Sequence, residues 1–98
     1  AAEVDERRRE GRRPRLFYAM PEFQNPTGRT QTQATRRALV EAAARAGVPI
    51  VEDDFEHDLR FRGAALPPLA ACEGARAVIH LGTFSKGLFP GVRVGWIH

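Results

Sequence analysis

Apolar residues in this chain of 98 fall into four short runs and one helical stripe. Arg15-Leu16-Phe17-Tyr18-Ala19-Met20 lies between Pro14 and Pro21 and reads as a buried strand. Val48-Pro49-Ile50-Val51-Glu52 reads as a second strand, with Pro49 tolerated near its start. Ala77-Val78-Ile79-His80-Leu81 is a third and Val92-Arg93-Val94-Gly95-Trp96-Ile97 a fourth. Between the first two runs the period changes. Thr30-Gln31-Thr32-Gln33 has capping-box spacing, and the pattern then predicts a helix to Ala46 with a stripe of Leu39, Ala42, Ala43 and Ala46. Gly47 is placed to stop it.

Strand, helix and strand within about 35 residues make a βαβ unit, so the first two strands are expected to run parallel with a right-handed crossover. The fourth run follows the third too closely for a helical crossover and is expected to pair antiparallel with it. Residues 1–13 look like the end of a polar helix closed by Gly11 and Pro14, and residues 55–76 like an irregular segment. The fold class is therefore α/β, a mostly parallel sheet with one antiparallel strand.

Composition narrows the class. Hydrophobic content of 43% with 28% charged residues fits a soluble globular protein. No apolar run is long enough to cross a membrane and no secretory h-region is visible, so a cytoplasmic location is expected. The single cysteine, Cys72, excludes an internal disulfide and a cysteine-based metal site. His57, His80 and His98 are widely spaced and show no ligand pattern, so no metal is expected. Six arginines crowd the first fifteen positions, from Arg7 to Arg15. Glu3, Asp5, Glu6 and Glu10 are interleaved with them and no aromatic accompanies them, which favours a solvated helix over a nucleic-acid patch.

The candidate chemistry gathers at the ends of the strands. Lys86 sits in a run of small and hydroxylated residues after the third strand, with Arg93 seven positions later. The hydroxyls of Thr83 and Ser85 and the Arg93 guanidinium can together hold a phosphate dianion. A lysine beside a phosphate site suits a cofactor bound through a carbonyl. Asn25 follows the first strand, and Asp53 and Asp54 end the second. In an open parallel sheet ligands bind outside the carboxyl ends of the strands. Three segments thus deliver a lysine, a carboxylate, an amide and hydroxyls to one edge. Read singly, Asn25 before proline also suits a turn, and the paired aspartates also suit a helix cap.

Together, Asn25-Pro26-Thr27-Gly28, Glu52-Asp53-Asp54, Thr83-Phe84-Ser85-Lys86 and Arg93-Val94-Gly95 resemble the class I/II aminotransferases of the pyridoxal-phosphate fold-type I superfamily. The likeness is to the 2-aminoadipate and aromatic aminotransferase branch and to the aminotransferase-like domain of MocR-type regulators. It covers the chain from Arg15 onward, with residues 1–98 as part of the large, cofactor-binding domain.

The resemblance implies pyridoxal 5'-phosphate as cofactor, with amino acid and 2-oxo acid substrates. It makes Lys86 the lysine bonded to the cofactor and the carrier of a proton from Cα. Asp53 matches the carboxylate on the pyridine nitrogen, Asn25 the amide on the 3'-oxygen, and Thr83, Ser85 and Arg93 the phosphate cup. It also implies a cis peptide at Asn25–Pro26 and a homodimer when full length. Many relatives have a tyrosine two or three residues after the aspartate, where this chain has Phe55 and Glu56. Phe55 keeps the ring but cannot donate a hydrogen bond. Thr83 replaces the family's usual serine and keeps the hydroxyl. The alternative is the effector domain of a MocR-type regulator, in which DNA would be bound by a separate winged helix.

Overall fold

The computed structural model describes residues 2–56 and 59–98; His57 lies outside the described residues. In chain order the elements are α1 (Ala2–Arg9), β1 (Phe17–Ala19), α2 (Gln33–Ala46), β2 (Ile50–Asp53), β3 (Val78–Thr83) and β4 (Gly95–Ile97). Short 3-10 turns stand at Leu69–Ala71 and Pro90–Val92. The sheet order is β1-β2-β3-β4. β1 pairs parallel with β2, β2 parallel with β3, and β3 antiparallel with β4, as the spacing of the runs implies.

Helix α2 is bounded by local chemistry. Its cap is Thr32, whose hydroxyl accepts from the Thr35 amide at 3.2 Å. The capping-box spacing points to Thr30 instead. Thr30 is drawn away: its hydroxyl donates to Glu22 Oε2 at 3.3 Å. At the other end Gly47 adopts φ +63°, which lets its N–H reach Ala44 O and that of Val48 reach Ala43 O.

Parallel pairing puts registered residues on the same face. Ile50 lies opposite Val78, and Ala19 opposite Glu52, which lies opposite His80. On that face α2 and the Leu69–Ala71 turn close a core of Ala19, Val40, Ile50, Leu69 and Cys72, with Leu39, Ala43, Ala75 and Val78 against it. Each of the larger side chains contributes about 1.5–3 kcal/mol by leaving water. The helix stripe therefore runs through Arg36, Leu39, Val40 and Ala43. The expected Ala42 and Ala46 lie at its margin, only partly buried.

The other face is open among the described residues. Tyr18, Val51 and Ile79 share it, as do Asp53, Leu81 and Ile97. Ile97 is 71% exposed, and Tyr18 and Ile79 are also exposed. The expectation that the first run forms a buried strand is corrected here. β1 is an edge strand of three residues, in which Ala19 alone is buried. The fourth run also starts later than expected. Pro90–Val92 takes up a 3-10 turn, and Arg93 follows at φ +52°, so pairing begins only at Gly95.

The hairpin between β3 and β4 depends on a glycine. Gly82 faces Trp96 across the ladder, and a Cβ at Gly82 would collide with the indole ring. Gly82→Ala is therefore expected to lower stability by about 1–3 kcal/mol through forced displacement of Trp96, although alanine is normally the better strand residue. Gly87→Ala, where a Cβ meets nothing within 4 Å, is the control and should leave the denaturation midpoint nearly unchanged.

Candidate active site at the carboxyl ends of the strands

The loop after β3 carries the only lysine of the chain. Phe84 N–H bonds to Val94 O at 3.0 Å and Leu88 N–H to Phe84 O at 2.9 Å, so Lys86 rides on a closed turn. The Thr83 hydroxyl donates to Val94 O at 3.3 Å and accepts from the Ser85 amide at 3.1 Å. Lys86 is exposed, with Nζ 6.0 Å from the centroid of the Phe55 ring.

Two cavities meet at Lys86. One, of about 170 Å³, is lined by Asp54, Phe55, His80, Thr83, Lys86 and Trp96 among others. The second, of about 380 Å³, lies between Phe23, Gln24, Asn25, Phe55, Glu56 and Lys86. Asn25, Thr83 and Lys86 are thus brought to one place. Asn25 precedes a cis peptide to Pro26, in agreement with expectation. Asp53, Ser85 and Arg93 line neither cavity. Asp53 lies on the open face, where its Oδ2 accepts a hydrogen bond from the Tyr18 hydroxyl. Arg93 is exposed beyond the 3-10 turn. Ser85 is half-buried, its amide turned to Thr83.

The Tyr18–Asp53 contact leaves an electrostatic mark. The Tyr18 phenol is pushed up to about 12, first by its hydrogen bond to Asp53, then by burial and the Asp53 charge.

Asp54 turns to the other side, where its Oδ2 meets His80 Nε2 at 3.0 Å. The imidazole also lies 4.0 Å from Glu52 Oε2 and meets the Trp96 ring edge-on, centroids 4.7 Å apart. Glu52 is fully buried, yet satisfied: its two oxygens accept from the Leu69 amide at 2.7 Å and the Ala70 amide at 3.0 Å. One carboxylate thereby ties β2 to the turn that roofs the core.

The Asn25 loop is held by a second buried carboxylate, in an ion pair. Arg36 Nη2 donates to Glu22 Oε1 at 2.8 Å, and both side chains are almost wholly buried. The same guanidinium donates to Pro67 O at 2.9 Å, Gln31 O at 3.2 Å, Pro21 O at 3.4 Å and Leu66 O at 3.5 Å. Arg60 pairs with the other oxygen of Glu22. Burial by itself would raise the Glu22 carboxyl; the hydrogen bond and charge of Arg36, the charge of Arg60 and the Thr30 hydroxyl outweigh it and hold it below the ordinary value. Phe23, next in the loop, takes φ +44°, a conformation that costs a bulky residue about 1–3 kcal/mol.

None of Tyr18, Glu22, Arg36, Arg60 or His80 stands out as a site residue in the sequence. Arg36 had a signal: it lies three and four residues before Leu39 and Val40, so a charge occupies the apolar stripe. Arg60 and Glu22 had none, because their pairing crosses 38 positions.

No family model matches the chain. An aromatic-amino-acid aminotransferase of Thermococcus litoralis is 42% identical over 94 residues, covering 96% of this chain and 22% of that protein. An uncharacterised HTH-type transcriptional regulator of Bacillus subtilis, YisV, is 37% identical over 82 residues, covering 84% of this chain and 17% of that protein. Among solved structures, an archaeal alanine:glyoxylate aminotransferase superimposes with a TM-score of 0.90 at 36% identity. The α-aminoadipate aminotransferase LysN of Thermus thermophilus, complexed with N-(5'-phosphopyridoxyl)-L-leucine, does so at 0.82 and 39%. Each alignment covers 98% of this chain and about a quarter of the solved one, 24% and 25%. The fold is that of part of the large domain of the pyridoxal-phosphate fold-type I enzymes. The chain belongs to the class I/II aminotransferase family, in the branch that also contains MocR-type regulators, and spans about a fifth of the length of the curated relatives it matches.

The raised phenol gives a titration test. A group whose folded value lies above its unfolded value of 10.0 contributes stability below that pH and loses it as pH rises toward about 12. A difference absorbance titration of parent against Tyr18→Phe should place the phenolate midpoint near 12, and Asp53→Asn should return it toward 10. A midpoint near 10 in the parent would show that the two side chains do not pair.

Proposed function

We propose that this chain carries the lysine-bearing centre of a pyridoxal-phosphate-dependent aminotransferase, which moves an amino group between an amino acid and a 2-oxo acid. The observation that carries the reading is the meeting of Lys86 with Asn25 and Thr83 across two adjoining cavities at the carboxyl ends of the strands. The donor set fits the cofactor. Among the cavity-lining residues, the Lys86 amine suits its carbonyl, the Asn25 amide its phenolic oxygen and the Thr83 hydroxyl its phosphate. The carboxylate of Asp53 and the guanidinium of Arg93, outside both cavities, have the chemistry that the ring nitrogen and phosphate call for.

When bound, pyridoxal 5'-phosphate supplies the electron sink that makes removal of the amino-acid Cα proton accessible. Lys86 would hold the cofactor at its carbonyl carbon, and its amine would be the group placed to take and carry the Cα proton. Asp53 would hold a proton at the ring nitrogen, its carboxylate oriented by the hydrogen bond it accepts from the Tyr18 hydroxyl. The Asn25 amide would donate to the 3'-oxygen, and Thr83, Ser85 and Arg93 would hold the phosphate. Phe55 packs its ring beside Lys86 in place of a hydroxyl-bearing tyrosine.

The reading extends to a homodimer in the full-length protein and to a cytoplasmic location. Among the described residues no helix is long and apolar enough to cross a membrane. The similarity to an HTH-type regulator supports a second reading, in which the same site senses ligand and another part of the protein binds DNA.

Borohydride trapping tests the proposal. The full-length protein treated with pyridoxal 5'-phosphate and borohydride should carry a stable phosphopyridoxyl label on the peptide containing Lys86, and Lys86→Ala should carry none there. Labelling only on other peptides would contradict the assignment.

A further inference from the structure

We propose that Arg60 is a positioning residue that clasps the Asn25 loop against the opposite wall of the cofactor cavity. The inference deepens the reading above and rests on it. The cavity that Lys86 shares with Asn25 has two walls from different parts of the chain: the loop of residues 23–28, and Phe55 with Glu56 after β2. Arg36 ties the loop to helix α2 and to Leu66 and Pro67. It does not reach the wall that carries Phe55. Arg60 belongs to the segment following that wall, and its guanidinium reaches back to the loop twice.

The first contact is the ion pair with Glu22, on the oxygen that Arg36 leaves open. The second is a stack: the guanidinium carbon stands 5.0 Å from the centroid of the Phe23 ring. Arg60 also donates to Arg62 O at 3.3 Å, while its buried Nε has no hydrogen-bond partner. Charge and stacking thus hold the side chain, 17% exposed, against the loop. The residue it stacks on, Phe23, has a left-handed backbone. A non-glycine residue keeps such a conformation only where its surroundings over-determine it. Arg60 fixes both the Phe23 ring and the neighbouring Glu22 carboxylate, and the chain reaches Asn25 two residues later. Lysine at this position could keep the ion pair but has no planar group to stack.

The test uses the full-length protein, with pyridoxal 5'-phosphate as the probe and two readouts. In the cofactor-free protein, hydrogen exchange of the Gln24 and Gly28 amides, which bond to Arg29 O and Gln24 O, reports the loop. In a titration, the dissociation constant reports the site. Arg60→Ala should speed exchange at both amides and weaken the cofactor about tenfold or more, as loss of an orienting partner does at other bound groups. Added guanidinium at non-denaturing concentration should recover most of the affinity, Arg60→Lys should fall between, and Arg62→Ala should match the parent. Affinity within about twofold of the parent for Arg60→Ala, or a loss that guanidinium does not recover, would overturn the clasp and leave the aminotransferase reading standing. A parent protein that takes up no cofactor would overturn that reading and the clasp with it.

Discussion

Arg36 donates to five oxygens from separate parts of the chain, and the arrangement of the site follows from that. Removing a guanidinium and a carboxylate from water is costly, and the cost is offset only where every donor finds an acceptor. Here Glu22 and the carbonyls of Pro21, Gln31, Leu66 and Pro67 meet the need. The entry and the exit of the Asn25 loop are thereby fastened to the first turn of α2. The strand order alone would bring β1, β2 and β3 side by side. It would not fix the loop that follows β1, and that loop supplies Asn25.

A second buried carboxylate does for β2 what Glu22 does for the loop. Glu52 occupies a core-facing position and binds two backbone amides of the turn at Leu69. Its neighbours alternate as a strand requires, so Asp53 turns to the open face and Asp54 toward His80. Three consecutive acidic residues thus take three separate tasks. The open face of the sheet, with Val51, Ile79, Leu81 and Ile97, contrasts with parallel sheets in general, which are covered on both sides. The relatives, several times longer, have chain enough for such a cover.

Much of the fold is legible in the sequence because it rests on local pattern. The apolar runs mark four strands, the helix between the first two implies parallel pairing, and the short Lys86 loop implies the antiparallel pair. The departures have physical causes. Capping-box spacing favours Thr30 as the helix cap, but Glu22 captures its hydroxyl. The apolar composition of the first run favours burial, yet that run forms the sheet edge. Arg93 stands in an apolar run that suits a strand, but Pro90 starts a turn there. Among site residues, Lys86, Asn25 and Thr83 are visible because their motifs are contiguous. Arg60 and Glu22 are not, because their contact is made only by the tertiary fold. The placement of Asp53 toward Tyr18 depends on strand register, which two adjacent aspartates leave open.

A double-mutant cycle on Arg36 and Glu22 tests most directly whether this pair fastens the loop to the helix. Chemical denaturation of the full-length protein would compare Arg36→Met, Glu22→Gln and the double variant with the parent. Each single change should cost about 3–5 kcal/mol, because it strands a buried charge or its partner. The double variant should cost clearly less than the two together, a coupling of about 2 kcal/mol or more. Effects that add to within about 0.5 kcal/mol would show that the two side chains act independently, and the account of the site built on them would fail.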